Sequence, residues 1–213
     1  MQYSVFKNKC QRSDAMANNN SHYFSHHLSI QSAYVLYKVG MSPNFITFLF
    51  LIFGVGSALS LNYDYSILTF ILWRLHIVID MADGNVARAT QNFSKSAVGF
   101  DRSNHIIINT MFILLSARNV DDMFAIIFLI VSFNLYYQFS RNYYSSKQNS
   151  QNFSLTKNIV KDFIGLEGYI FITCSLNFLN WYDLQQFVIY IYILTFSLLY
   201  LLKLKNFIEN NRQ

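Results

Sequence analysis

The sequence predicts an all-α integral membrane protein with six transmembrane helices and an N-terminal amphipathic helix at the membrane interface. Hydrophobic residues make up 53% of the 213 residues and charged residues only 13%, which is about half the charged fraction of a soluble domain. The single proline and seven glycines are too few for the turns of an all-β chain. The apolar residues also gather in long runs, which are typical of helices in lipid.

Six apolar segments are predicted as spans, because a membrane helix needs about 20 mostly apolar residues. The less apolar segment before them, about residues 23–40, is predicted as the interfacial helix. Gly40 ends that helix, and residues 42–44 turn the chain into the first span. The predicted spans are residues 45–61, 65–82, 97–117, 123–139, 164–179 and 184–202.

This layout divides the chain into an N-terminal segment (1–40), a membrane domain (41–205) and a cytoplasmic tail (206–213). Lysine and arginine are concentrated on one side of the spans, and the opposite loops hold only Arg118. Cytoplasmic loops carry an excess of these residues, so both termini are predicted to face the cytoplasm at the cell membrane. The net charge of +5 therefore indicates contact with anionic membrane lipids rather than nucleic acid. The cytoplasmic basic residues are Lys7, Lys9, Arg12, Lys38, Arg88, Lys95, Arg102, Arg141, Lys147, Lys157, Lys161, Lys203, Lys205 and Arg212.

One helical face at the end of the second predicted span carries two carboxylates, two small residues and a cation. Carboxylates near lipid are energetically unfavourable and mark functional sites. The small residues leave room for a ligand beside the helix, and the forked guanidinium suits a phosphate. This face consists of Asp80, Asp83, Gly84, Ala87 and Arg88, which recur at helical spacing.

A second face at the start of the third span contains Ala97, Asp101 and His105 at intervals of four residues. The short connection (89–96) makes the two helices antiparallel neighbours whose faces can meet. Three carboxylates in low-dielectric surroundings repel one another unless a cation compensates them. Their oxygen ligands favour one or two Mg²⁺ or Mn²⁺ ions over zinc. A buried ion-pair network is the structural alternative.

The residues from Asp80 to His105 resemble the signature of the CDP-alcohol phosphotransferase (CDP-alcohol phosphatidyltransferase) family. That signature reads D-x2-D-G-x2-A-R-x8-G-x3-D-x3-D, and the sequence follows it without a gap. It departs at two positions, where Ala97 replaces the second glycine and His105 the fourth aspartate. Residues 40–47, GMSPNFIT, resemble the start of the family's first span. In sequence, the resemblance is confined to about residues 40–105.

The resemblance implies an enzyme that transfers a phosphoalcohol from a CDP-activated alcohol donor to an alcohol or lipid acceptor and releases CMP. Such an enzyme would serve phospholipid or surface-glycan biosynthesis, and the resemblance also implies a homodimer. Two metal ions would bridge the diphosphate and align the leaving CMP. The implied metal ligands are Asp80, Asp83 and Asp101. The implied cradle for cytidine and diphosphate is formed by Asn44, Thr47, Gly84, Ala87 and Arg88.

Two further residues have roles that the sequence leaves open. His105 replaces the aspartate that the resemblance implies is the general base, and an imidazole beside Asp101 can act as a base near neutral pH. Alternatively, His105 is a metal ligand, selects an unusual acceptor, or marks a site that binds without turnover. Arg74 lies about 9 Å from Asp80 along the helix axis. It is predicted either to bind an anionic group of the acceptor or to pair with a buried acid such as Glu167.

Three other functions compete with the transferase. A catalytically silent homologue that binds CDP-alcohols or acts as a scaffold would keep the fold without releasing CMP. A membrane prenyltransferase also binds diphosphate and Mg²⁺, but it needs two separate aspartate-rich motifs and a longer bundle. A small transporter would place its acids near the middle of the bilayer, whereas these lie near one face.

Overall fold

The structure is a computed structural model that describes residues 1–10, 21–93, 95–146 and 165–210. Every regular element in these ranges is an α-helix, which confirms the all-α prediction. In chain order the helices are α1 (Tyr3–Cys10), α2 (Ser21–Lys38), α3 (Pro43–Asn62), α4 (Ser66–Thr90), α5 (Lys95–Ser116), α6 (Met123–Ser146), α7 (Leu166–Phe178) and α8 (Asp183–Asn210).

The junction between α2 and α3 follows from three residues. Gly40 has a φ of +82°, which glycine adopts without steric strain, and Met41 N–H donates to the Leu36 carbonyl as α2 ends. Ser42 then caps α3 by accepting a hydrogen bond from the Phe45 N–H at 3.3 Å. Pro43 occupies the first turn of α3, where its missing N–H leaves no bond unmade. The predicted turn into the first long helix is therefore observed.

Helix α3 lies against both α4 and α5, whereas α6 packs mainly against α8. Close approach of α3 and α5 depends on Gly54, where an added Cβ would lie 2.5 Å from Cδ1 of Ile108. The fully buried Phe50 of α3 and Phe112 of α5 belong to the main core. Aromatic and aliphatic residues complete this core, including Trp73, Ile113, Leu129, Tyr169 and Phe196.

A second apolar cluster joins the N-terminal helices to the end of α4. Phe6 and Cys10 of α1 are fully buried, as is Ala33 of α2, and they pack with Val86 and Ala89. The sequence did not predict α1. Burial raises the pKa of the Cys10 thiol, which keeps it protonated and unreactive. Helices α1 and α2 therefore form an N-terminal cap over the last turns of α4.

The loops at the opposite end of the bundle are joined by polar contacts. Arg118, after α5, pairs with Asp64, before α4. Tyr190 of α8 donates a hydrogen bond of 2.7 Å to Asp122, before α6, and this bond lowers the pKa of the Asp122 carboxyl. These contacts join the loop between α5 and α6 to the loop before α4 and to helix α8.

Two of the described helices, Pro43–Asn62 and Asp183–Glu209, are long and apolar enough to cross a membrane. Met123–Phe139 is a shorter apolar helix. Helices α4 and α5 carry charged residues at their site-facing ends, and α7 has 13 residues, so they do not meet the same criterion. Helix α8 also continues to Asn210, into the segment predicted as a tail.

Part of the predicted orientation concerns residues that the structure does not describe. Residue 164, the predicted start of the fifth span, lies outside the described ranges. The same holds for the side chains of Arg12, Lys95, Arg141, Lys147, Lys157, Lys161 and Arg212.

Candidate metal and phosphate site

The structure brings together one carboxylate of α4 with one carboxylate and the histidine of α5. Ligand atoms of Asp80, Asp101 and His105 all lie within 4.8 Å of one another. Nε2 of His105 is 3.4 Å from Oδ1 of Asp80 and 3.4 Å from Oδ1 of Asp101. Both helices pack against α3, so the two faces predicted from the sequence converge beside that helix.

The remaining predicted metal ligand, Asp83, is hydrogen-bonded to a residue of α3. Oγ1 of the buried Thr47 donates a hydrogen bond of 2.7 Å to Oδ2 of Asp83. The backbone carbonyl of Thr47 accepts a 3.3 Å hydrogen bond from Asn104 of α5. Thr47 thus links one carboxylate of α4 to α5. Asn44, predicted to line the same cradle, is exposed near the start of α3.

Aromatic rings from three helices surround the imidazole of His105. The ring centroids of Phe50 and Tyr137 lie 5.3 and 5.6 Å from it, and that of His76 lies 6.1 Å away. The His105 side chain is only 15% exposed. Nδ1 of His76 lies 3.0 Å from the Phe50 carbonyl, so His76 is a hydrogen-bonded interior residue. This packing leaves His105 little freedom to rotate.

The predicted phosphate-binding residues lie farther along α4, beneath the N-terminal cap. Nε of Arg88 donates to the Cys10 carbonyl at 3.0 Å, and Nη2 donates to Oδ1 of Asn85 at 2.7 Å. The guanidinium lies across Gly84, where an added Cβ would be 3.2 Å from Nη1. A side chain at position 84 would press against the end of the arginine, and half-buried Ala87 lies on the same stretch of helix.

Arg74 lies away from the carboxylates and meets α7. Its Nη1 is 3.4 Å from Oε2 of Glu167, and its guanidinium lies 5.2 Å from the Phe70 ring centroid. The structure thus has the ion pair that was one of the two predicted roles of Arg74. The side chain is 41% exposed, so contact with an acceptor stays a prediction.

Among the residues that the structure describes, Asp80, Asp101 and His105 form a set of ligands that fits a divalent metal ion. Two carboxylates and one imidazole offer two oxygen ligands and one nitrogen ligand, a combination suited to Mn²⁺ and related ions. Without a cation the two carboxylates would repel each other across a partly buried site. The chemistry available to such a group of residues is the binding of a divalent cation.

Sequence reasoning missed several contributors to this site. Phe50 and Tyr137 were not singled out, because aromatic residues are frequent in every helix and only packing shows which of them meet His105. Asn85 occupies a variable position of the signature, although it orients Arg88 and donates to Ser29 of α2 at 3.1 Å. Helical spacing did hold a signal for Asn85, since it lies three residues before Arg88.

No protein-family model matches the chain, and a search of curated proteins finds no match either.

Proposed function

We propose that the protein is a membrane CDP-alcohol phosphotransferase that transfers a phosphoalcohol from a CDP-activated donor to an alcohol or lipid acceptor and releases CMP. The convergence of Asp80, Asp101 and His105 carries this proposal, because these residues occupy three positions of the resembled signature on two separate helices. A shared cation site is what a diphosphate substrate requires. The proposed pathway is phospholipid or surface-glycan synthesis.

The proposal includes six membrane spans, α3 to α8, with α2 at the interface and the termini and site in the cytoplasm. Its support is the distribution of apolar side chains, since soluble proteins rarely expose large apolar patches. Phe124 of α6 is 86% exposed and Leu194 of α8 is 71% exposed. Conversely, buried polar residues such as Asn109, Thr173 and Asn177 occur inside the bundle, where interhelical hydrogen bonds form in membrane proteins. A homodimer is proposed from the resemblance alone.

In the proposed reaction, the residues of this chain bind and orient the substrate. A metal ion held by the carboxylates would neutralise the charge that develops on the leaving CMP. Arg88, which lies across Gly84 and is held in place by Cys10 and Asn85, would present its cationic group to the diphosphate.

The acceptor and the third carboxylate complete the proposed reaction. Thr47 orients Asp83 toward the same region. The acceptor hydroxyl attacks the phosphorus of the phosphoalcohol and loses its proton to the Asp101–His105 pair, while the bond to the CMP oxygen breaks.

The test is CMP release by the purified chain in detergent with Mg²⁺ or Mn²⁺, using a panel of CDP-alcohols and acceptors. We expect one donor–acceptor pair to give CMP and the phosphoalcohol product in equal amounts. Asp80→Asn should abolish release, because it removes a metal ligand with little change in shape. Exposed Asp121→Asn, in the loop at the other end of the bundle, is the matched control and should retain activity.

The catalytically silent homologue is a second candidate, and one observation favours it. His105 lies between two carboxylates, so an imidazolium there could compensate their charge in place of a metal ion. In that case the chain would bind a CDP-alcohol but release no CMP with any acceptor. Equilibrium binding and CMP release, measured on the same preparation, separate the two functions.

A further inference from the structure

We infer that Asp80, Asp101 and His105 hold one divalent transition-metal ion, with Nε2 of His105 as a nitrogen ligand. The inference deepens the proposed function and rests on it for the role of the site, although metal binding is measurable without a substrate. His105 occupies one of the two positions at which the sequence departs from the resembled signature. Among the roles that the sequence left open for His105, it selects that of metal ligand.

The separations of His105 from the two carboxylates match those of neighbouring ligands around a coordinated ion. Nε2 of His105 is 3.4 Å from a carboxylate oxygen of Asp80 and 3.4 Å from one of Asp101. Bonds of about 2.1 Å to nitrogen and oxygen ligands in a tetrahedral site separate adjacent ligand atoms by about 3.4 Å. The two separations from His105 therefore fit adjacent ligands of one ion, and all three ligand atoms lie within 4.8 Å of one another.

Direct pairing of the histidine with the two acids fits the same distances less well. A charge-assisted hydrogen bond from an imidazolium to a carboxylate has a nitrogen–oxygen distance of about 2.7–2.9 Å. Both contacts of His105 are longer, and they are equal. The 3.4 Å separations thus match adjacent ligands of one ion better than a short charge-assisted hydrogen bond.

The surroundings of His105 hold Nε2 in the position that a ligand needs. Phe50, His76 and Tyr137 pack around the ring from three different helices. Metal ligands depend on such support, because it fixes the direction of the ring nitrogen. With Nε2 bound to a metal the imidazole is neutral, so the two carboxylates give the ligand set a charge of −2, which a divalent ion balances in a partly buried site.

The nitrogen ligand changes which ion the site prefers. An all-carboxylate site suits Mg²⁺, whereas imidazole favours Zn²⁺ and other transition metals. We therefore expect Mn²⁺ and Zn²⁺ to bind more tightly than Mg²⁺. A metal-bound Nε2 has no free lone pair to accept a proton, so within the Asp101–His105 pair the proton of the acceptor hydroxyl would pass to a carboxylate oxygen of Asp101.

Pulsed electron paramagnetic resonance of bound Mn²⁺ tests the inference directly. The full-length protein in detergent is stripped of metal, loaded with one equivalent of Mn²⁺, and examined for coupling to ¹⁴N. We expect the coupling of a directly bound imidazole in the wild type and its replacement by a ¹⁵N pattern in protein labelled with ¹⁵N-histidine. This comparison needs no variant and so does not depend on how a variant folds. Mg²⁺ should displace the Mn²⁺ only at concentrations at least about tenfold higher than Zn²⁺ requires.

Two variants test which histidine supplies the nitrogen ligand. His105→Gln should remove the nitrogen coupling and weaken Mn²⁺ binding by at least about tenfold, with unchanged elution in size-exclusion chromatography. His27→Gln, on α2 and outside the ligand group, is the control and should keep both properties.

Four results would overturn the inference. They are Mn²⁺ bound without nitrogen coupling, coupling that persists in His105→Gln, Mg²⁺ displacing Mn²⁺ as readily as Zn²⁺ does, and no Mn²⁺ binding by the wild type. CMP release with Mg²⁺ alone, alongside any of these results, would leave the proposed function standing. Nitrogen coupling without CMP release from any donor and acceptor would support the metal site and reject the proposed transferase.

Discussion

The hydrogen bond from Thr47 to Asp83 offers a precise test of how α3 supports the site. Thr47→Val replaces the hydroxyl with a methyl group of similar size and leaves the packing of the buried side chain nearly unchanged. The hydroxyl has one proton, and its 2.7 Å contact with Asp83 is shorter than its 3.0 Å contact with the Pro43 carbonyl. The bond to the carboxylate is therefore the principal one that the substitution removes.

A hydrogen bond to a charged group contributes about 1.5–3 kcal/mol. If that energy holds Asp83 in its reactive position, its loss lowers kcat/KM for CMP release by about 10- to 150-fold, at 1.36 kcal/mol per factor of ten. The assay compares initial rates of CMP release over a range of donor concentrations. Thr47→Ser keeps the hydroxyl and should recover most of the activity.

Thr69→Val is the matched control for this experiment. Thr69 is also buried, and its hydroxyl donates to the Tyr65 carbonyl at 3.0 Å near the opposite end of α4. The control should alter thermal unfolding without changing kcat/KM. Activity of Thr47→Val within about twofold of the wild type, in protein that is folded, would refute the reasoning, because the energy of the bond would then not reach the reaction.

Three further predictions concern packing and pairing. Gly54→Ala forces a Cβ to 2.5 Å from Ile108 and should destabilise the protein by about 1–3 kcal/mol in thermal unfolding, and addition of Ile108→Ala should restore part of the loss. Phe6→Ala removes a fully buried ring and should weaken the cap by about 3–5 kcal/mol, seen as faster proteolysis near the N-terminus, and an unchanged rate would contradict the burial. Because Arg74 is 41% exposed, a double-mutant cycle of Arg74→Gln and Glu167→Gln should give a coupling of only about 0.2–1 kcal/mol, and a larger value would mean that the pair is better shielded than its exposure indicates.

Helix positions and the facing of α4 and α5 could be predicted because both depend on local patterns. Apolar runs mark the helices, and intervals of three and four residues place Asp80, Asp101 and His105 on faces that a short loop turns toward each other. The capping residues around Pro43 likewise act within a few positions along the chain. These features require no knowledge of distant contacts.

The remaining features depend on contacts between distant parts of the chain. Helix α1 is short and weakly apolar, and it is stabilised by burial of Phe6 against α2 and α4, which no local pattern reveals. The direction of a side chain within a helical face is also set by packing. The sequence grouped Asp83 with Asp80 as a metal ligand. In the structure Asp83 is not among the converging residues Asp80, Asp101 and His105, and its carboxylate accepts a hydrogen bond from Thr47. Likewise, the cap over Arg88 depends on a hydrogen bond to Cys10, which lies 78 positions away in the sequence.

The most direct test of the central claim is a measurement of CMP and transferred product by the purified protein in lipid vesicles, with Mn²⁺ and a CDP-alcohol donor. The wild type is compared with Asp101→Asn, which keeps the side chain's shape and removes its negative charge. The account predicts CMP and product in equal amounts from the wild type, no release without metal, and a loss of at least about 100-fold in the variant. Equal activity in the two proteins would contradict it, as would donor binding by the wild type without CMP release from any donor and acceptor.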